Sequence, residues 1–186
     1  MKYLLKNNRD GAASVYRTTV EVSQDERNIY FNFVAEHSNY YCPYHNYNDI
    51  HSCGDAVEIL IGIDPARKTY YELEVNPDNS KMLAKMTVTE LDGDGAAKLN
   101  IEFVDEKDCF FTSSIAKTSG GYIACIVIDK VRLNMPVEQI YFNAYRLETD
   151  GGETEKHLFA LNPTMCGKFH VPTRYVMLRD YLSSGK

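Results

Sequence analysis

The stretch that decides the fold runs from Gly54 to Asn79: GDAVEILIGIDPARKTYYELEVNPDN. Ala56–Ile63 and Thr69–Val75 alternate with period two across a short polar turn, which predicts two adjacent strands. Val57, Ile59, Ile61 and Ile63 face a core from the first strand, and Tyr71, Leu73 and Val75 from the second. Three carboxylates occupy the other parity. Glu58 shares its face with Ala56 and Leu60; Glu72 and Glu74 share theirs with Tyr70 and Asn76. A carboxylate in a strand interior runs against propensity. Buried without a partner, it is also costly. Water, a cationic partner or a hydroxyl-rich ligand is therefore expected over that face.

Working outward, strand signals dominate. Thr18–Val22 and Asn28–Ala35 alternate around SQDER, with Ile29, Phe31 and Phe33 on one side. Lys85–Leu91 and Lys98–Val104 flank DGDG, a hairpin signal. Gly121–Asp129 is a continuous apolar run, suited to a strand covered on both faces. Gln139–Glu148 reads as another strand, and His157–Ala160 and Phe169–Val171 as short ones. A polar, Tyr-rich segment from His37 to Gly54 has neither periodicity and reads as a long loop. No long stretch holds a helical period, and Pro136 and its neighbours supply a single turn at most. About eight to ten short strands between turn signals predict an all-β antiparallel sandwich of jelly-roll type. Residues 18–182 form it, with 1–17 as an N-terminal extension or edge strand.

Composition narrows the function. The 186 residues suit one domain. The net charge is -6 without a Lys/Arg cluster, which argues against nucleic acid as a partner. No apolar run approaches the roughly 20 residues of a membrane span. As written, the chain carries no export signal and is expected in the cytoplasm; a trimmed leader would place it outside the cell. Five scattered Cys fit a reducing compartment, with Cys125 expected in the core.

Several segments, in order, resemble the family 9 carbohydrate-binding modules and their stand-alone relatives. These are NIYFNFVAEH, GDAVEILIGID, TYYELEVNPDN, YFNAYRLE, and LFALNPT followed by KFHVPTRYVML. The resemblance spans roughly Thr18 to Leu178. It implies an antiparallel sandwich that grips a mono- or oligosaccharide without cleaving it, with no organic cofactor and with structural calcium allowed. Sugar-gripping members clamp the ring between two indoles. This chain has no Trp but 14 Tyr, and Leu161 stands where relatives often carry Trp. On this reading Tyr41, Tyr44 and Tyr47 from the loop stack on the ring. Glu74, Asn143, Arg146 and Asn162 serve its hydroxyls, with His170 near the rim.

Alternatives stand beside each assignment. The Tyr loop folds back as packing, or it binds. Arg146, on the side of Phe142 and Ala144, pairs internally with Glu58, Glu72 or Glu74, or points with one of them at sugar hydroxyls. His37, Cys42, His45, His51 and Cys53 have metal-ligand types, but their spacing matches no standard zinc site, so no metal is expected there. Cys166 and His170 lack a nucleophile turn. Glu72 and Glu74 lie about 7 Å apart by strand period, and one strand does not flank a scissile bond. The expected function is non-catalytic carbohydrate binding. The alternative is a protein-interaction or scaffold sandwich that has lost its sugar site.

Overall fold

The computed structural model describes residues 1–49, 54–62, 64–152 and 156–182. Among the described residues there are thirteen strands, beginning with β1 (Lys2–Leu4), β2 (Lys6–Asn7), β3 (Thr18–Gln24), β4 (Asn28–Glu36), β5 (Ala56–Gly62), β6 (Thr69–Val75) and β7 (Lys81–Leu91). They continue with β8 (Ala97–Phe103), β9 (Phe111–Thr118), β10 (Gly121–Asp129), β11 (Tyr141–Glu148), β12 (His157–Ala160) and β13 (Val176–Met177). The one α-helix among the described residues, α1 (Lys130–Leu133), has four residues. Pro136 precedes a single 3-10 turn, Val137–Gln139. No helix here is long and apolar enough to cross a membrane.

The strands form two antiparallel sheets. The smaller has the order β1-β3-β4-β10-β9; the larger runs β2-β12-β11-β5-β6-β7-β8, with β13 also pairing β11. The first residues of the chain thus supply an edge strand to each sheet. Alternation does the rest. Val20, Val22, Ile29, Phe31, Phe33, Ala124, Ile126 and Ile128 of the small sheet meet Val57, Ile59, Ile61, Leu73, Leu83 and Phe142 of the large one. Burying side chains of this size contributes about 1.5–3 kcal/mol apiece, and this interlayer supplies the core.

Register places the carboxylates. Glu58 stands directly opposite Glu74, and Leu60 opposite Glu72. All three glutamates lie on the face of the large sheet turned away from the core. That face carries a second apolar cluster of Leu60, Tyr70, Met82, Ala84, Met86, Tyr145, Ala160 and Tyr175. The segment between β12 and β13 covers part of it, bringing Tyr175 and Phe169 onto the sheet.

Four expectations change. β10 is open on one face: Ile123 is 40% exposed. It is central only within its sheet, and its outer positions Ile123, Cys125 and Val127 stay exposed or half-buried. Cys125, on that side, is half-buried rather than core. Phe169–Val171 is irregular rather than a strand. A tight turn, Val171 N–H donating to the Phe169 carbonyl at 2.8 Å, precedes the 3-10 turn Pro172–Arg174. β9 is an additional strand, paired with β10 along Phe111–Thr118.

Candidate functional site

Glu58, Glu72 and Glu74 converge on the outer face of the large sheet. One carboxylate oxygen from each lies within 4.8 Å of the other two. They are 4%, 6% and 5% exposed. Like charges directly opposite across a strand pair repel, and here water is largely excluded as well. Burial, then the charge of Glu74, pushes Glu58 and Glu72 well above the usual carboxylate range.

These carboxylates floor a hollow of about 380 Å³. Its walls are mostly apolar and aromatic: Ile101, Leu147, Leu158 and Phe169, with His170 beside them and Lys156 and Lys168 also on the lining. The size and mixed lining suit a small ligand. Lys168 Nζ is held 2.6 Å from Asp92 Oδ2 in the DGDG turn. That turn is a plain hairpin, because Asp92 Oδ1 accepts the Asp94 and Ala96 N–H groups.

The aromatic wall is fixed from below. Phe169 stacks on buried Tyr145 with centroids 4.2 Å apart and planes at 29°. The Tyr145 hydroxyl donates to the Phe169 carbonyl at 2.9 Å. The ring of Phe169 stays partly exposed. His170 Nδ1 lies 3.0 Å from the Tyr70 hydroxyl, and its Nε2 lies 3.4 Å from Glu72 Oε1. Burial lowers the imidazole pKa to about 4, so His170 is uncharged at neutral pH.

Two of the predicted residues, Glu74 and His170, line the hollow. Asn143 is on the right face but fully buried and engaged. It donates to the Tyr145 hydroxyl and the Asn162 carbonyl, both at 2.8 Å, and accepts from Asn162 N–H at 3.0 Å. Asn162 in turn donates to the Arg174 carbonyl at 2.6 Å. Both asparagines therefore brace the segment that carries Phe169 rather than meeting a ligand.

Arg146 corrects the expectation most clearly. It lies on the core face, opposite Val57, fully buried. Its guanidinium donates to Glu148, to Thr18 Oγ1 at 2.8 Å and to the Glu36 carbonyl at 2.9 Å. The pairing ties the two sheets together; it does not reach Glu58, Glu72 or Glu74, which are on the other side of the same sheet. Glu148 also accepts from Asp150 N–H and lies 2.9 Å from His37 Nδ1.

The Tyr loop is likewise not brought to the hollow, whose lining contains none of Tyr41, Tyr44 and Tyr47. Tyr41 N–H donates to Asp55 Oδ2 at 2.9 Å. The Tyr44 carbonyl accepts from Asn76 Nδ2 at 2.7 Å. Tyr47 packs against the interlayer core. Asn48 pins the loop to the large sheet by donating to the Val104 carbonyl and accepting from Leu83 N–H. His37 is spent on Glu148 and Asp150. Burial pushes the Cys42 thiol to about 12, and His51 and Cys53 lie outside the described residues. Among those residues the glutamate trio is the one cluster able to hold a cation.

The sequence places Glu58 and Glu72 on this face, as candidates beside Glu74 to point with Arg146 at sugar hydroxyls, and gives Phe169, which lines the hollow, no role. The parity signal for the glutamates was present. For Phe169 there was none, because it sits on irregular chain.

The fold defines a class: antiparallel β-sandwiches of two packed sheets. One solved structure with this fold is a candidate carbohydrate-binding protein from Bacteroides uniformis, at TM-score 0.73 and 13% identity, covering 94% of this chain and 84% of that one. Two others are family 9 carbohydrate-binding modules from Caldicellulosiruptor kristjanssonii. The glucose complex gives TM-score 0.62 and 11% identity, covering 99% of this chain and 86% of that one. The cellotriose complex gives 0.61 and 12%, covering 93% and 80%. The resemblance read along the sequence is thus met at the level of fold. No family model matches the chain, and no curated protein matches it in sequence.

Proposed function

We propose that the protein binds a sugar, without cleaving it, in the hollow over Glu58, Glu72 and Glu74. The carrying observation is the joining of a partly exposed Phe169 ring to three carboxylates in one recess. A sugar ring offers an apolar C–H face to an aromatic plane and hydroxyl donors to carboxylates. Solved structures of the same fold with glucose and cellotriose support the reading. So does the arrangement of the carboxylates. They rise side by side from β5 and β6, so they form one floor rather than the two flanks of a scissile bond.

Titration calorimetry against glucose, cellobiose and a panel of other mono- and disaccharides tests this. Binding in the millimolar range or tighter is expected, with no turnover of chromogenic glycosides. Phe169→Ala is expected to weaken binding by about tenfold, the order of a lost aromatic anchor. No heat with any sugar at millimolar concentration would overturn the reading.

A further inference from the structure

The hollow does not end at its carboxylate floor. Ile101 of β8 lines it, and β8 is the last strand of the large sheet. Successive side chains of a strand alternate between faces, so Leu99, Ile101 and Phe103 share one side of β8. It is the glutamate side. Leu99 packs on the outer apolar cluster, and Phe103 stands opposite Ala84 of that cluster. Register sets Glu72, Ala84 and Phe103 in a single row across β6, β7 and β8. Ala84, the residue between the carboxylate and the ring, raises no more than a methyl group above the sheet. Neighbouring strands lie about 4.8 Å apart, so the backbones under Glu72 and Phe103 are about 10 Å apart.

An exposed aromatic side chain is by itself ordinary. Phe103 is 46% exposed and Ile101 47%. Their position gives that exposure a meaning, because Ile101 joins Phe103 to the hollow along one strand face. The face thus carries an aromatic ring on either side of the carboxylate floor. Phe169 is stacked on Tyr145 of β11, and Phe103 stands on β8, four places further along the sheet. A single pyranose does not span that width. A linear chain does, and each added ring brings another apolar C–H face for an aromatic plane.

We infer that the site takes a linear oligosaccharide rather than a single sugar, with one ring against Phe169 over the glutamates and a later ring of the same chain on Phe103. This inference rests on the sugar-binding reading above, and it names the length of the ligand and its second platform.

The test is titration calorimetry with glucose, cellotriose, maltotriose and the mono- and disaccharides of the panel above. The wild-type protein is compared with Phe103→Ala and Phe103→Tyr, the fold of each checked by circular dichroism. At least one oligosaccharide is expected to bind about tenfold tighter than its own monosaccharide, the order of one aromatic anchor. Phe103→Ala is expected to bring that affinity ratio toward one, and Phe103→Tyr, which keeps the ring plane, to hold it. If no oligosaccharide outbinds the best monosaccharide, the inference is overturned and sugar binding stands. A preference for length that survives Phe103→Ala overturns it too, since the chain then runs elsewhere. So does a preference lost equally in Phe103→Tyr, because the ring plane is then not what the chain meets. Failure of every sugar removes the underlying reading, and the inference with it.

Discussion

At the residue scale, two buried charge clusters on opposite faces of one sheet predict opposite responses to neutralisation. The trio is a set of like charges with burial pushing Glu58 and Glu72 upward. Glu72→Gln removes one of them at nearly constant shape. It is expected to stabilise the protein by about 1–2 kcal/mol, the lower part of the range seen when a buried charge is replaced. For a chain of this length that is a rise of roughly 2–8 °C in Tm, measured by thermal denaturation at about pH 8. A fall in Tm would show that Glu72 is compensated in the free protein. Arg146 sits in the reverse situation, since it is the cation that compensates Glu148. Arg146→Ala strands Glu148 beside buried Asp55 and opens space under Tyr122, whose ring lies 5.7 Å from the guanidinium. A loss of about 3–5 kcal/mol is expected, read as a lower urea midpoint. The double change Arg146→Met with Glu148→Gln is expected to recover much of it. The parity of Arg146 with Phe142 and Ala144 is legible in the sequence. Its partners are not, because they follow from Tyr145 standing opposite Glu58. A register shifted by one residue would have turned Arg146 to the glutamates.

At the scale of elements, period-two alternation locates the strands that bury one face. β6, β10 and β12 have the bounds that their sequences announce. β9 escapes, because FTSSIAKT buries only Phe111 and its remaining positions are open or half-open. It is held by backbone pairing to β10, which leaves no hydrophobic trace. The same limit applies to the segment between β12 and β13. It has little regular structure and is fixed by single polar contacts: Asn143 to Asn162, Asn162 to Arg174, Tyr145 to Phe169. Half of the site was therefore legible, namely the glutamates on β5 and β6. The aromatic wall was not, because its position depends on buried asparagine chemistry. Asn143→Ala tests that dependence. It leaves the Asn162 backbone groups and the Tyr145 hydroxyl short of partners, at about 1–3 kcal/mol for each buried group left unsatisfied. Faster amide hydrogen exchange is expected across residues 161–175, with exchange in β5 and β6 little changed. Uniform acceleration over the whole sheet would show that Asn143 supports the sandwich rather than this segment.

At the scale of the whole molecule, the buried carboxylates set the pH dependence of stability. Asp55 is fully buried; burial first, then Glu148, raises its pKa from 3.8 to about 7. Glu58 and Glu72 are raised in the same direction. A raised carboxylate holds its proton in the folded state after the unfolded chain has released it. Its contribution is therefore favourable at low pH and is lost as pH rises from about 4 through the folded value, with a limiting slope of about 1.4 kcal/mol per pH unit for each group. His170 acts against this over part of the range. Its pKa falls from 6.5 to about 4 in the fold, so below about pH 6.5 the unfolded chain takes up a proton that the folded one refuses. Asp25, Asp92 and Asp129 have lowered values, so their contribution is lost only on further acidification. Above about pH 6.5 His170 is neutral in both states, and the raised carboxylates act without that opposition. Stability is therefore expected to fall between about pH 6.5 and 8, followed as the urea midpoint at fixed ionic strength. Asp55→Asn is expected to flatten the portion of the decline around pH 7, and Glu72→Gln to reduce the portion that persists above it. A midpoint that stays level or climbs over this interval would mean that Glu58, Glu72 and Asp55 are already ionised in the folded protein, with a counter-charge in place.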